Sequence, residues 1–372
     1  MLGSGAQVER RTASETAVAM LVPFAIEPRE VPLIWGGRAL VRRFHKPGDP
    51  NAAIGESWEC WDENSARGGP YAGDTIAQLR EKLRDGLVGS LDAQRPFPIL
   101  TKFIDAREPL SVQVHPDDAY AQRVEHQANG KTECWVILEA EADAHLILGW
   151  TRDTSRDEYV KRVADGSLGD LLRRVRVRPG DVFYLPAGTV HSIGAGIVLY
   201  ETQQTSDLTY RIFDWNRLGP DGKPRQLHVD KAADVLDYRA SQSGALTPLP
   251  YRSDGLQRTA LVADHRFVLE RITVQKMPGT IRLNGMPLVI TAMDEPILLE
   301  ADRTVLVLAP YETAMVPAAV ENVALASHGG VTSALTVAPV QGIEAAQRRL
   351  TSAGGPSGAV SEFLSQFGPH TT

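Results

Sequence analysis

The sequence predicts a mainly β protein built from two jelly-roll β-barrels or sandwiches with a few inserted helices. Over residues 256–345, short runs of Val, Leu, Ile and Thr alternate with turns at regular intervals, which is typical of antiparallel sandwiches. Residues 176–204 read in the same way as strand, turn and strand. Helical periodicity is confined to a few segments, so we expect the helices to be insertions.

The predicted organisation is a flexible extension at 1–20, a catalytic domain at 21–240, a degenerate second β domain at 241–350 and a flexible tail at 351–372. Helical insertions into the catalytic domain are expected at about 74–90, 116–128 and 155–175. In the first insertion, apolar residues recur at helical spacing behind an Asp74–Thr75 cap. Met20 offers an alternative start to the chain.

Composition excludes several classes of partner. The 372 residues include 39 basic and 46 acidic side chains, for a net charge of −7, and no long basic run suggests nucleic acid. No apolar run approaches the ~20 residues of a membrane helix. Cys60 and Cys134 are too few for a disulfide framework and lack a CxxC spacing, which favours the reducing cytoplasm. We expect a monomer that acts on a small molecule.

Two segments place unusual polar residues on predicted strands. In "LSVQVHPDD", Gln113 and His115 stand two residues apart, so their side chains share one face. They are either two satisfied core polar groups or half of a metal site. In "GKTECW", Glu133 leads a strand that runs back towards the first.

A third segment completes the set. "RPGDVFYLPAGTVHSIG" contains the pattern G-x5-P-x-G-x2-H, which ends at His191 and resembles the second motif of cupins, small β-barrels that hold a metal. The four candidate ligands are Gln113, His115, Glu133 and His191. Two imidazoles, a carboxylate and an amide oxygen suit Zn²⁺, or Mn²⁺, Co²⁺ or Fe²⁺. With no fifth protein ligand evident, a water-filled position and a catalytic metal, one per chain, are expected.

Four blocks in order carry a more specific resemblance: "LSVQVHPDD", "GKTECW", "GDVFYLPAGTVHSIGAG" and "SDLTYRIFDW". They are similar to the signature blocks of class I mannose-6-phosphate isomerases of the short bacterial form, and the similarity is dense over about residues 30–235. The resemblance implies two cupin-like barrels, a bound zinc on the four candidate ligands, and interconversion of mannose 6-phosphate and fructose 6-phosphate through a cis-enediol.

The resemblance also suggests the remaining site residues. By motif match, the candidates for phosphate binding are Ser111, Lys102 and Lys131. Arg211 lies in "YRIFDW", where an apolar setting would make an unpaired guanidinium costly. For the proton-transfer base, the sequence offers Glu201, Asp207 or, less readily, a metal-proximal His. The division of labour stays open, and orienting Arg211 is the alternative role for Asp207.

Other functions remain as alternatives. A non-catalytic cupin that binds a sugar phosphate would be favoured by loss of a ligand or of Arg211, and neither is lost. An isomerase of a related phosphorylated sugar is not excluded by any residue. A metal oxygenase on the same barrel would not need the cationic set of Lys102, Lys131 and Arg211.

Several residues in the matching blocks are interpreted as structural. Trp35, Glu56, Trp58 and Glu59 are predicted to form mainly core and turns. Asp117 and Asp118 are predicted to cap the short helix that follows Pro116.

Overall fold

The computed structural model describes residues 21–219, 222–242 and 244–367, so the extension predicted at 1–20 lies outside the described residues. Within those ranges the chain is mainly β, as predicted, with four sheets and a few short helices. No helix in this part of the chain is long and apolar enough to cross a membrane.

The first thirteen strands lie before residue 214. They are β1 Phe24–Ile26, β2 Arg29–Val31, β3 Glu56–Cys60, β4 Ala66–Arg67, β5 Ile99–Ala106, β6 Val112–Val114, β7 Glu133–Ala140, β8 His145–Trp150, β9 Leu172–Arg176, β10 Val182–Leu185, β11 His191–Ile193, β12 Ile197–Gln204 and β13 Tyr210–Phe213.

Ten more strands follow in the last third of the chain. They are β14 Leu249–Ser253, β15 Leu256–Ala263, β16 Phe267–Val274, β17 Gly279–Arg282, β18 Leu288–Ala292, β19 Ile297–Ala301, β20 Thr304–Leu308, β21 Thr313–Val316, β22 Asn322–Ser327 and β23 Thr332–Pro339.

The helices are short and lie between or after the strands. They are α1 Ala39–Arg42, α2 Ile76–Leu83, α3 Asp85–Val88, α4 Asp118–Tyr120, α5 Arg156–Asp165, α6 Val229–Val235, α7 Ile343–Ser352 and α8 Ser357–Leu364. A π-helical turn, Ala121–Glu125, extends α4, and 3₁₀ turns occupy Gly69–Tyr71, Leu168–Leu171 and Ser365–Phe367.

The sheets form two sandwiches. The first sandwich pairs a six-stranded sheet, in the order β10-β7-β12-β5-β3-β2, with a five-stranded sheet, β13-β6-β11-β8-β9. The second sandwich pairs an eight-stranded sheet, β14-β15-β16-β23-β18-β21-β1-β4, with a four-stranded sheet, β17-β22-β19-β20. All the strand pairs within these sheets are antiparallel, as predicted for a sandwich of short strands and turns.

Alternating side chains of the six-stranded sheet join two different cores. Trp135 and Leu199 face the five-stranded sheet and pack with Leu148 in the interior of the first sandwich. Val136 and Tyr200, one position along, belong to the large core shared with the eight-stranded sheet. The period-2 alternation of a strand therefore lets one sheet serve both an interior and the junction with the second sandwich.

The structure departs from the predicted boundaries in three places. Strand β1 belongs to the second sandwich, because Phe24–Ile26 pairs with β21 across the expected boundary at 240. The third helical insertion ends at Leu171, since residues 172–176 pair with β8 as a strand. The prediction of a flexible tail at 351–372 is wrong for residues 351–367, because Val360 and Phe363 of α8 are buried in the shared core. Residues 368–372 of that tail lie outside the described residues.

Candidate metal centre and active site

Two imidazoles are held inside the first sandwich in one defined orientation. The Nδ1 atom of His115 lies 2.7 Å from the carbonyl oxygen of Leu208, and that of His191 lies 2.8 Å from the carbonyl oxygen of Thr189. A carbonyl oxygen can only accept, so each Nδ1 carries the proton and each Nε2 presents a lone pair. This is the tautomer that a metal bound through Nε2 requires.

The carboxylate of Glu133 lies between those two lone pairs. Its Oε1 is 3.2 Å from His191 Nε2 and its Oε2 is 3.6 Å from His115 Nε2. Ligand atoms of the three residues all fall within 4.8 Å of one another, and all three side chains are buried. Two neutral imidazoles and one carboxylate, converging at this distance, form a donor set that fits Zn²⁺ or another borderline divalent metal.

Burial and nearby cations keep both imidazoles neutral. Burial lowers the pKa of His191 to about 4, and the charge of Lys131 acts in the same direction. Burial, then Lys131 and His191, lower the pKa of His115 well below its usual range. Metal-ligating imidazoles must be deprotonated, so this environment favours the ligand form at neutral pH.

Gln113 stands beside the imidazoles in a row that crosses three strands. On β6 it pairs with His191 of β11 on one side and with Arg211 of β13 on the other, so all three side chains share one face. Its amide nitrogen lies 3.3 Å from His191 Nε2, and its oxygen accepts from Ser111 Oγ at 3.3 Å. The structure thus brings the four predicted ligands and Ser111 together, and their roles stay predictions.

Two lysines and a second carboxylate adjoin this group. Lys131 Nζ lies 2.8 Å from Glu133 Oε2, 3.3 Å from His115 Nε2 and 3.6 Å from Glu201 Oε1. Lys102 Nζ lies 3.8 Å from the other oxygen of Glu201. Both lysines are therefore bound to carboxylates within the site, and their predicted contact with phosphate stays a prediction.

Glu201 has the most unusual setting of these groups. It is 3% exposed, and its Oε1 has no hydrogen-bond partner in the described part of the chain. Burial raises the pKa of Glu201 to about 6, since the attraction of Lys102 and Lys131 offsets only part of the burial and of the repulsion by Glu133. A carboxylate that titrates near neutrality can both accept and return a proton.

A tight turn delivers Lys131 and Glu133 to the site. Gly130 precedes them, and a Cβ there would lie 2.4 Å from the backbone of Pro116 and Asp117, so only glycine allows this close approach. The Gly130 amide donates to Asp118 Oδ1 at 2.8 Å, and Gln204 Nε2 donates to the same oxygen at 2.9 Å. Asp117 alone caps α4, whereas Asp118, predicted to share that role, fixes this turn.

Asp207 lies apart from the imidazoles. It is exposed and lines a cleft of about 180 Å³ with Trp58, Trp61 and Asn129. Within the described ranges it forms no ion pair with Arg211, whose Nη1 donates instead to the carbonyl oxygen of Gln226 at 3.1 Å. Glu201 and Asp207 thus occupy different parts of the region, and the role of each stays a prediction.

Several residues at the site were not predicted to act there. Glu56 was interpreted as structural, but its Oε2 lies 3.3 Å from Lys102 Nζ and accepts from Trp58 Nε1 at 2.7 Å. Glu56 and Trp58 stand two positions apart on β3, and Trp58 pairs with Lys102 of β5, so the contact follows from a strand pairing that the sequence did not reveal.

A cationic group near Arg211 also went unrecognised. Asp214 binds Arg217 at 2.6 Å and Arg225 at 2.5 Å. Burial lowers the pKa of Arg211, and the charges of Arg225 and Arg217 lower it further. The Nε of Arg211 has no hydrogen-bond partner among the described residues. The Arg-x2-Asp-x2-Arg spacing over 211–217 was the signal that would have indicated this cluster.

Comparison with known proteins decides the family. Residues 24–133 match the profile of the phosphomannose isomerase type I catalytic domain. The chain is 42% identical over 219 residues to mannose-6-phosphate isomerase ManA of Bacillus subtilis, which covers 58% of this chain and 68% of that protein. The chain belongs to the type I mannose-6-phosphate isomerase family. The resemblance carried by the four sequence blocks is therefore confirmed.

Other relatives of the family support this assignment. Mannose-6-phosphate isomerase of Streptococcus mutans is 37% identical over 255 residues, covering 67% of this chain and 78% of that protein. The crystal structure of mannose 6-phosphate isomerase from Bacillus subtilis superposes with a TM-score of 0.78 at 30% identity, over 85% of this chain and 99% of the other.

Proposed function

We propose that this chain interconverts mannose 6-phosphate and fructose 6-phosphate at a zinc centre inside the first sandwich. The observation that carries the proposal is the pair of imidazoles whose Nδ1 protons are fixed by backbone carbonyls, so that both Nε2 atoms converge on Glu133. Family membership supplies the substrate pair, and the buried charges beside the imidazoles suit a proton transfer.

The residues that would hold the metal are His115, Glu133 and His191, with the amide oxygen of Gln113 as a fourth donor. Three or four protein ligands leave a position for water or substrate, as a catalytic site needs. A bound divalent metal supplies a Lewis acid that polarises a carbonyl or orients sugar hydroxyls.

The chain's own residues would move the proton. Glu201 is proposed as the base that takes the proton from one of the two carbons and returns it to the other. Its carboxylate is buried at the site, and its Oε1 has no hydrogen-bond partner among the residues that the structure describes. Lys131 and Lys102 lie on either side of Glu201, 3.6 Å and 3.8 Å from its two carboxylate oxygens.

The sugar phosphate requires cations and hydroxyl donors as partners. Arg211, on the strand beside Gln113, is proposed to bind the substrate, with Ser111, Lys102 and Lys131 as the further contacts implied by the family. Trp58 and Asp207, at the neighbouring cleft, would lie along the approach to the site. The two buried free cysteines support the cytoplasm as compartment, and a monomer is proposed.

The test is an assay of the purified protein for conversion of mannose 6-phosphate to fructose 6-phosphate, before and after chelation and with Zn²⁺ restored. We expect activity that disappears with the chelator and returns with zinc. His191→Asn, which keeps a polar side chain but cannot bind a metal as imidazole does, is expected to lose activity that zinc does not restore. His145→Asn on the outside of β8 is the matched control.

Two results would overturn the proposal. Full activity after exhaustive chelation would remove the metal from the reaction. A zinc-loaded protein without turnover, but with a thermal stability raised by mannose 6-phosphate, would instead favour the non-catalytic binding protein.

A further inference from the structure

A cleft on the side of the second sandwich has an unusual lining. It encloses about 790 Å³ and lies between helix α7 and the loops that carry Ser90 and Asn284. Arg348 and Arg349 line it, and no Asp or Glu does. A cleft of this size takes a small metabolite rather than a bare ion. The chain has a net charge of −7, so a cleft that is lined by two arginines, and by no Asp or Glu among the described residues, should favour an anionic ligand.

Arg349 is a half-buried cation that forms no ion pair among the described residues. Its Nε is inaccessible and has no hydrogen-bond partner, and in the described part of the chain its guanidinium lies within 4.0 Å of no carboxylate. The nearby Glu270 is already bound by Arg258, at 2.6 Å, and by the hydroxyl of Tyr251. Burial lowers the pKa of Arg349, and the charge of Arg258 adds to it against the attraction of Glu270.

The rest of the lining suits an anionic group attached to a less polar body. Neutral hydrogen-bonding side chains lie at the rim, where Asn284 Nδ2 is 3.5 Å from Ser352 Oγ. Leu283 and Val340 supply buried apolar surface beside them. The adjoining cleft, by contrast, contains Arg282 already paired with Asp254 at 3.6 Å, so its charge is balanced within the protein.

We propose that this cleft binds a small anionic metabolite whose phosphate or carboxylate group pairs with Arg349 and Arg348. The anion would supply the countercharge that Glu270 cannot, and a guanidinium is well shaped to bind either oxyanion through two hydrogen bonds. Ser90 follows α3 in the first part of the chain, whereas Arg348 and Arg349 lie on α7 near its end, so the ligand would contact both of these segments. The proposal does not depend on the isomerase activity.

The experiment is thermal unfolding of the full chain with inorganic phosphate, citrate or sodium chloride at matched ionic strength. We expect phosphate or citrate to raise the unfolding temperature by roughly 2 °C over sodium chloride near saturation. The anion that gives the larger shift identifies the preferred group. Arg349→Met should abolish the shift, and Arg348→Gln should weaken apparent affinity about tenfold.

Two controls separate this cleft from other sites. Arg282→Gln, in the adjoining cleft, should keep the full shift. Lys131→Met, which lacks a proposed phosphate contact at the metal centre, should still show a shift, and adding Arg349→Met to it should abolish that shift. If Arg349→Met does not fold, the affinity of Arg348→Gln decides. The proposal is wrong if neither anion exceeds sodium chloride, if both Arg variants respond like the unmodified chain, or if Lys131→Met loses the response.

Discussion

The two sandwiches share an architecture but bury charge in opposite ways. The first encloses two imidazoles together with Lys102, Lys131, Glu133 and Glu201, whose charged atoms approach one another within 4 Å. Among the described residues, one carboxylate oxygen of Glu133 and one of Glu201 have no hydrogen-bond partner. Among the described residues of the second, the buried charged side chains are Arg258 on β15, Glu270 on β16 and Asp264 in the turn between these strands. Each of these is bound by an oppositely charged or hydroxyl group.

This difference shows that a jelly-roll framework does not by itself create a site. The second sandwich packs Ile272, Leu299 and Leu325 where the first places polar residues beside Trp135 and Leu148. A buried polar group costs free energy unless it is paired. The incomplete pairing in the first interior is what the proposed metal and substrate would complete, whereas the second interior contributes stability.

The largest effect is expected from Glu201. Glu201→Gln keeps the shape of the side chain but removes the base, so kcat should fall roughly 10²–10⁴-fold while the metal content is unchanged. Asp207→Asn should cost less, because Asp207 lies in the outer cleft. Steady-state kinetics with metal analysis of both variants checks this, and a greater loss in Asp207→Asn would reverse the assignment.

The next effect concerns the ion pair that links the two sandwiches. Lys46 Nζ lies 2.7 Å from Glu59 Oε2, both side chains are at most 3% exposed, and Lys46 also donates to the carbonyl oxygen of Tyr311. Lys46→Met strands the Glu59 charge and should lower the free energy of unfolding by about 3–5 kcal/mol. Denaturant unfolding measures it.

The control for this pair is an exposed one. Arg29→Met breaks the surface pair with Glu63 and should cost no more than about 1 kcal/mol. The double variant Lys46→Met, Glu59→Leu should recover most of the lost stability, because no unpaired charge remains. Equal losses in the Lys46 single and double variants would contradict the account.

A cavity in the second interior should separate stability from activity. Leu299 is fully buried there, and Leu299→Ala should lower the free energy of unfolding by about 2–5 kcal/mol. The kcat of the folded protein should be unchanged, since the cavity lies in the other sandwich. A drop in kcat at a temperature where the variant is folded would show that the second interior shapes the site.

The smallest effect is a pH dependence at Asp118. Burial alone would raise the pKa of Asp118, but Arg266 and the donors Gln204 and Gly130 lower it below its usual value. A lowered pKa contributes stability above the unfolded value, about 3.9, that is lost as the pH falls through the folded value. Asp118→Asn should therefore be less stable than the parent at pH 6, and the difference should shrink by pH 3. A constant difference would contradict this.

The grouping of the candidate ligands could be predicted in part because some of its signals are local, while their role as ligands stays a prediction. Gln113 and His115 stand at i and i+2 on one strand, and His191 ends a motif of fixed spacing. Their strands proved to be neighbours, with Gln113 directly opposite His191. Short-range patterns in the sequence were therefore enough to name these candidate ligands.

Contacts set by packing between distant segments were not predictable. Asp118 binds Arg266, 148 residues away, and so ties the turn at Gly130 to the second sandwich. Strand β1 has three residues, too few to show which sheet it joins. The helix at 357–364 was taken for a flexible tail because its apolar residues gain their stability only from the core they cover.

The most direct test of the contrast between the sandwiches is the amount of zinc bound per chain. The purified protein, stripped by chelation and dialysed against excess Zn²⁺, should hold one zinc, measured by elemental analysis against protein concentration. Glu133→Gln should hold none, while Glu270→Gln in the second sandwich should still hold one. Zinc retained by Glu133→Gln, or two zinc ions in the unmodified chain, would contradict the account.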